Sequence, residues 1–495
     1  MAALRRPLAV GLLFATVAAS LQPPAVIARA HRSAQPICLA GKKATSKSKA
    51  ARAKASGGGG FGASGAAKKT VAARPHQPNE EWRAFEDWLV EKGCTIDAIQ
   101  LADCGGGLRG VRTTRAVKAG EEIIKIPRNL ILDEMRVDAG EVGVLWQDHA
   151  ERVPAYAQLA LQVLVEARRG SRSPLAPYIA MLPTMEELDG YAPAASWSDE
   201  ELDLAECEKL TADAVRLRSR RSGGGHPALE PTALASKWAE GGLPGVPPTA
   251  DELAWAVTVV TSRAYGVEAP DGGMLSLLIP MVDMCNHNHP PHTAKGLEKE
   301  GDLFVVIATE AMKKGEQVFL SYGGLPNLLL LVQFGFVAAG APTDMGLVDC
   351  APLVTHADAS RTGTLTAIAE AGYLMRDADG SPSRWQPASP QLQAALEQLA
   401  SAGELPDALA SGGGGDGGRS TDAATGAYRA LLRQTLNGYT TSIPEDAAAL
   451  EAGGLPPRTQ LALEFRLAQK KLLNSALAAS AAAPKPRQKA GDEIF

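Results

Sequence analysis

Residues 277–337 read LLIPMVDMCNHNHPPHTAKGLEKEGDLFVVIATEAMKKGEQVFLSYGGLPNLLLLVQFGFV, and the rest of the chain is organised around them. An apolar run leads to the polar pair Asn286-His287. A strand-like segment, Leu303 to Ala308, is followed by a turn at Lys314-Gly315-Glu316 and an apolar strand ending at Ser321-Tyr322-Gly323. A polar pair, a buried tyrosine and little else of catalytic type suggest chemistry done by positioning.

Upstream, Cys104 to Leu132 reads as a glycine-rich turn, a strand at Val111–Val117, a Lys-Ala-Gly-Glu turn and a strand at Glu122–Pro127, which is a hairpin-like signal. No helix follows the glycines and the P-loop Lys-Ser/Thr is missing, so a dinucleotide fingerprint and a P-loop are both excluded. Glu80 to Lys92 places Trp82, Phe85, Trp88 and Leu89 on one helical face. Further helices are predicted at Val153–Arg169, Asp199–Arg218 and Thr249–Ala264, the last with Asp251 and Glu252 in its first turn. Ser222–Gly225 and Leu243–Pro248 read as loop insertions. After Ala341 the texture is helical with Gly and Pro breaks, including a glycine-rich loop at Ser411–Gly418. In the last helix, Arg458–Ala478, one stripe carries Leu461, Phe465, Ala468 and Leu472, with Arg466, Lys470 and Lys471 outside it.

The net charge of -5 is unevenly spread. Residues 1–79 hold 13 Lys plus Arg and no acid, so the remainder carries 37 basic and 55 acidic residues. An acidic body argues against nucleic acid as the main partner. The six cysteines form no Cys-x-x-Cys pair, which points to free thiols rather than a disulfide framework or zinc knuckle. Arg5 and Arg6 precede an apolar run, Pro7–Ala19, too short to span a bilayer and shaped like a signal-peptide core. The acid-free segment Arg29–Lys69 has the composition of a transit peptide. Together they resemble a bipartite plastid address, with a simple transit peptide, secretion or a cytoplasmic location as alternatives. Gly57–Gly60 and the residues to Asn79 read as a tether. No stable membrane insertion is expected.

Four motifs in order resemble the SET-domain methyltransferases, in the branch that includes Rubisco large-subunit lysine methyltransferase. They are Arg109-Gly110-Val111 through Gly120-Glu121 to Ile126-Pro127; Ser262-Arg263-Ala264-Tyr265; Pro280-x-x-Asp283-x-x-Asn286-His287; and Gly315-Glu316 through Tyr322-Gly323, Asn327 and Phe334-Gly335-Phe336-Val337. The resemblance covers residues 80–340. The final helix adds Phe465-Arg466-x-x-Gln469-Lys470, similar to the family's docking domain.

The resemblance implies an α+β fold. A β-rich SET core (80–340) would be split by a helical insertion at about 135–255, cross itself in a pseudoknot-like way, and be followed by an all-helical substrate-binding domain (341–480) and a disordered tail (481–495). It implies S-adenosylmethionine as cofactor and a protein lysine as acceptor, with non-histone plastid enzymes such as Rubisco or an aldolase as candidate partners, and a monomeric chain. Tyr322 would be the catalytic tyrosine. Arg109, Gly110, Arg263, Asn286, His287 and Phe336 would hold the cofactor, and Ser262, Asp283 and Phe334 would lie near the substrate. Three departures stand out. Phe334 replaces a tyrosine of many relatives, Gly296–Glu300 stands where an aromatic is expected, and the zinc cysteines of many histone-directed enzymes are missing. Three other readings are carried: a histidine acceptor, a metal-binding module built on Cys285, His287, His289 and His292, and a non-catalytic SET scaffold.

Overall fold

The first helix, α1 (Glu80–Glu91), begins where the Asn79 side chain accepts the Glu81 N–H, and its acidic first turn suits the positive helix end. It buries Phe85, Trp88 and Leu89, with Trp82 half-buried beside them. The structure, a computed structural model, describes residues 79–481 except 106, 134–140, 146–152, 223–225, 227–228, 269–273, 299–301, 342, 356, 378–379 and 411–419. The targeting segment, most of the tether, residues 223–225, the whole Ser411–Gly418 loop and the tail from 482 therefore lie outside the described residues.

The chain continues through β1 (Ile99–Asp103), β2 (Arg109–Thr113), β3 (Glu122–Pro127) and β4 (Leu132–Asp133). A helical stretch follows, whose main members are α2 (Ala155–Arg169), α3 (Glu208–Arg221), α4 (Pro231–Glu240) and α5 (Ala250–Arg263). Next come β5 (Tyr265–Glu268), β6 (Met274–Leu278), β7 (Asn286–His287), β8 (Thr293–Leu297), β9 (Leu303–Ala308), β10 (Phe319–Leu320) and α6 (Asn327–Phe334). The remainder comprises β11 (Leu347–Asp349), α7 (Ala359–Glu370), β12 (Trp385–Pro387), α8 (Pro390–Ser401), α9 (Ser420–Asn437), α10 (Ile443–Ala452) and α11 (Pro457–Ala481).

The hairpin expected between β2 and β3 does not form. β2 pairs antiparallel with β1, Ile99 opposite Thr113, across the glycine turn. β3 pairs with β9, and β9 with β8. The Lys118–Glu121 turn is held by other partners: Val117 bridges Met312, and the Gly120 N–H donates to the Ala308 carbonyl. A third sheet runs β4-β6-β5. β7 and β10 form a two-residue parallel pair, Asn286 opposite Phe319 and His287 opposite Leu320. That short pair puts the Asn-His turn and the strand leading into Tyr322 side by side.

One large apolar core joins the sheets to α1, α2 and α5. A second joins Leu328, Leu329, Leu331 and Val332 of α6 to Trp197 and Leu210 of the helical stretch and Phe465 of α11. The single helix predicted at Asp199–Arg218 is two, a short one at Asp199–Asp203 and then α3, broken where Glu206 takes φ 49°. A capping box of Thr249 and Glu252 opens α5, which carries Ser262 and Arg263 at its end.

The C-terminal region is helical apart from an antiparallel ribbon of β11 and β12. Arg466 and Lys470, read as lying outside the apolar stripe of α11, are buried. Asp446 at 2.6 and 2.7 Å and Glu206 neutralise them. Burial alone would raise the Asp446 carboxyl, yet hydrogen bonds from Arg466 and Lys470 hold it down to about 2. Its contribution is present above the unfolded pKa of about 3.9 and is lost as the pH falls through about 2. Among the described residues no helix is long and apolar enough to cross a membrane.

Candidate active site

Tyr322 follows β10 and is held from several sides. Its hydroxyl donates to the Cys285 carbonyl at 3.0 Å, and its N–H donates to His287 Nδ1 at 3.0 Å. Its ring packs on Phe334 at 4.9 Å, on His287 at 5.1 Å and edge-on to Tyr265 at 6.2 Å between centroids. Burial pushes the phenol well above its ordinary pKa, so it stays a neutral hydroxyl.

The neighbouring loop is set by close approach. The Asn286 side chain donates to the Arg109 carbonyl at 3.2 Å and to Gln317 Oε1 at 3.0 Å. A Cβ on Gly110 would lie 2.5 Å from Cys104 Sγ and 2.7 Å from Asn286 Nδ2, so any side chain here would displace Cys104 or Asn286. His287 accepts through Nδ1, which leaves Nε2 as the protonated nitrogen. Burial, then His289, lowers its pKa to about 4, so the ring is neutral.

Asp283 is buried. Its Oδ2 accepts from the Tyr178 hydroxyl at 3.0 Å and stands 3.7 Å from Arg263. Arg263 also donates to the Asp283 carbonyl at 2.8 Å. Burial raises the Asp283 pKa against the pull of Arg263. The Ser262 hydroxyl is spent on its own helix, donating to the Thr258 carbonyl at 2.8 Å. Burial and the nearby Arg263 lower the Arg109 pKa.

These residues converge on a cavity of about 420 Å³. Tyr322, Arg109, Arg263, Asn286, His287, Phe336, Ser262, Asp283 and Phe334 all line it. Gly110 alone of the expected residues does not, and acts behind the wall by admitting Asn286. Sequence reasoning missed Gln317, Tyr191 and Arg221, which also line the cavity. Arg221 ends α3, just past the helix expected at Asp199–Arg218, and no local signal brings it to the site. Cys285, His287, His289 and His292 do not converge. The Cys285 thiol points to the Met281 carbonyl and the His292 ring packs on Phe319. Among the described residues no group of three or more His, Cys, Asp or Glu could hold a metal ion.

Several buried polar atoms at this cavity have no protein partner: Arg221 Nε and Nη2, Arg263 Nε, His287 Nε2 and Asp283 Oδ1. Such groups are costly to leave unmatched and mark where a polar ligand belongs. The set suits a ligand that bears a carboxylate for the guanidinium groups and an ammonium for the carboxylate oxygen.

The chain is similar to known proteins over most of its described length. The SET domain family profile matches residues 108–323, and the Rubisco LSMT substrate-binding profile matches residues 416–473. The actin-histidine N-methyltransferase of Gallus gallus is 26% identical over 414 residues, 80% of this chain and 68% of that protein. The Homo sapiens protein of the same name is 24% identical over 412 residues, 80% and 67% of the two chains. Among solved structures, the SET domain of LSMT bound to lysine and AdoHcy superimposes with a TM-score of 0.58 at 19% identity, covering 82% of this chain and 92% of that one. Rubisco LSMT bound to AdoMet gives 0.56 at 20% identity, covering 81% and 91%.

The SET match together with the fold therefore places the chain among SET-domain methyltransferases, a class that uses S-adenosylmethionine. Within it, the chain carries a SET domain followed by a Rubisco LSMT substrate-binding domain, on the Rubisco LSMT-like fold.

Proposed function

We propose that this protein methylates a side-chain nitrogen of another protein, with lysine as the acceptor. The observation that carries the reading is the placement of the Tyr322 hydroxyl, fixed by the Cys285 carbonyl at the wall of a cavity where several other polar atoms lack partners. Bound S-adenosylmethionine supplies an electrophilic sulfonium methyl. Arg221 and Arg263 would hold its carboxylate, Asp283 Oδ1 its ammonium, and His287 and Phe336 the rest of its frame.

In-line displacement needs a neutral amine, and free lysine has a pKa of about 10.4. The Phe334, Phe336 and Tyr322 rings form an apolar wall that disfavours the ammonium. The Tyr322 oxygen, its proton committed to the Cys285 carbonyl, keeps lone pairs free to accept an N–H of the acceptor and aim its lone pair. Asp283, tied to Tyr178 and Arg263, braces Arg263 and is poorly placed as a base. Alignment then supplies most of the acceleration.

A histidine acceptor is the second reading. It is favoured by the relatives of 24–26% identity, which bear the name actin-histidine N-methyltransferase. An imidazole is already neutral near pH 7 and needs no deprotonation. The proposed location is the plastid, from the acid-free 1–79 segment, with a monomeric enzyme docking a non-histone protein on its helical C-terminal domain. Rubisco and aldolase are the first candidates.

Incubation with heavy-methyl S-adenosylmethionine and a plastid extract, followed by peptide mass spectrometry, tests the reading. Heavy methyl groups are expected on lysines of one or a few proteins. Methyl-histidine would select the second reading, and no transfer by cofactor-loaded enzyme would overturn both. Arg221→Met should weaken S-adenosylmethionine binding by about 10- to 100-fold in calorimetry, as loss of a charge-assisted contact does. It should not lower the melting temperature, because the buried guanidinium nitrogens Nε and Nη2 have no protein partner to lose. An unchanged Kd would place the cofactor carboxylate elsewhere.

A further inference from the structure

The segment after His287 is the least family-like part of the SET core, and β8 runs through it. We propose that Lys295, on β8, is a positioning residue for methyl transfer: an amine built in behind Tyr322 whose charge keeps the arriving acceptor nitrogen unprotonated. The inference rests on the methyl-transfer reading above and deepens it.

The Lys295 ammonium is placed by the groups that also place Tyr322. Its Nζ donates to the carbonyl of Ser321, the residue before Tyr322, at 2.7 Å. It stands 3.4 Å from the centroid of the Tyr265 ring, a cation–π contact. Tyr265 in turn packs edge-on against Tyr322 at 6.2 Å. Among the described residues no carboxylate forms an ion pair with Lys295. A methionine or an aromatic would fill the same space without placing a charge in a largely apolar wall, so the amine calls for a reason beyond packing.

The groups around it are Tyr265 on β5, Cys285 before β7, His287 on β7, and Ser321 and Tyr322 after β10. Burial lowers the Lys295 pKa to about 7, with Cys285 opposing. Below that pH it is a cation, and above it a neutral amine. A cation beside the acceptor disfavours a second positive charge there. Two unit charges roughly 7–10 Å apart in protein surroundings repel by enough to lower an amine's pKa by roughly one to two pH units. The fraction of acceptor able to attack rises accordingly. The methyl–sulfur bond breaks as the new nitrogen–methyl bond forms, the sulfide leaves neutral, and the positive charge passes to the methylated nitrogen, whose first proton has gone to solvent beforehand and whose next follows it after transfer. The argument applies in full to a lysine acceptor; an imidazole, already roughly a quarter neutral at pH 6, would gain at most about fourfold.

The test is the rate of heavy-methyl transfer into plastid extract between pH 6 and pH 9 for wild type, Lys295→Met, Lys295→Gln and Lys295→Arg. S-adenosylmethionine affinity and melting temperature are measured for each. The uncharged variants should be slower by about tenfold at pH 6 and within about twofold of wild type at pH 9. Lys295→Arg should match wild type at pH 6. A defect of the same size at every pH, no defect at all, or an arginine variant as slow as methionine at pH 6 would overturn the proposal. Glutamine, polar and of similar reach, decides the matter where methionine does not fold. A wild type that binds S-adenosylmethionine and transfers nothing at any pH overturns the methyl-transfer reading itself, which is a distinct result.

Discussion

Tyr322→Phe should leave S-adenosylmethionine binding within about twofold and slow methyl transfer by at least about 10²-fold, the scale seen when one preorganised polar group at a reacting centre is removed. The two effects separate because the ring and the hydroxyl do different jobs. The ring packs against Phe334, His287 and Tyr265, and phenylalanine keeps those contacts. The N–H to His287 Nδ1 bond belongs to the backbone and survives as well. Only the hydroxyl is lost, and with it the oxygen aimed at the acceptor. The Cys285 carbonyl also loses its donor, at a cost of about 1–3 kcal/mol in stability. Calorimetry and single-turnover transfer on one preparation give both numbers. Transfer at the wild-type rate would remove Tyr322 from the mechanism. Lost binding would mean that the hydroxyl shapes the cavity rather than the reaction.

Where sequence carried the site, it did so through local pattern. Asn286-His287 and Tyr322 each end an apolar segment, and a two-residue parallel pairing brings those ends together. Arg109 and Arg263 sit at the ends of recognisable elements. Arg221 could not be seen, because its place at the cavity depends on how α3 lies against α5 and α6, which no local periodicity encodes. Lys295 was passed over for a similar reason: one lysine in a short strand reads as a solvated side chain. The same rule misplaced Arg466 and Lys470, which are buried because Asp446 and Glu206 meet them across the chain. The β2–β3 hairpin failed differently. Two strands and a turn were correctly seen as adjacent in sequence, yet each strand found a better partner, β1 for one and β9 for the other.

Among the described glycines, Gly335→Ala should be the most damaging alanine substitution, costing more than about 4 kcal/mol and abolishing cofactor binding in whatever folds. Gly335 ends α6 at φ 78°, between Phe334 and Phe336, whose rings line the cavity. An added Cβ would sit 1.8 Å from the Tyr191 carbonyl oxygen and 2.8 Å from the Pro193 nitrogen, and both neighbours also line the cavity. The clash is backbone against side chain, so no rotamer relieves it. Gly315→Ala is the matched control. It has φ 84° and nothing within 4 Å of the added carbon, so it pays only the left-handed strain of about 1–2 kcal/mol. The difference between the two in chemical denaturation isolates the contact from the strain. A Gly335 variant no worse than the Gly315 variant would mean that the Tyr191–Pro193 wall can retreat from α6. The cavity would then be adjustable where the structure makes it rigid, and the alignment argument for Tyr322 would lose one of its fixed walls.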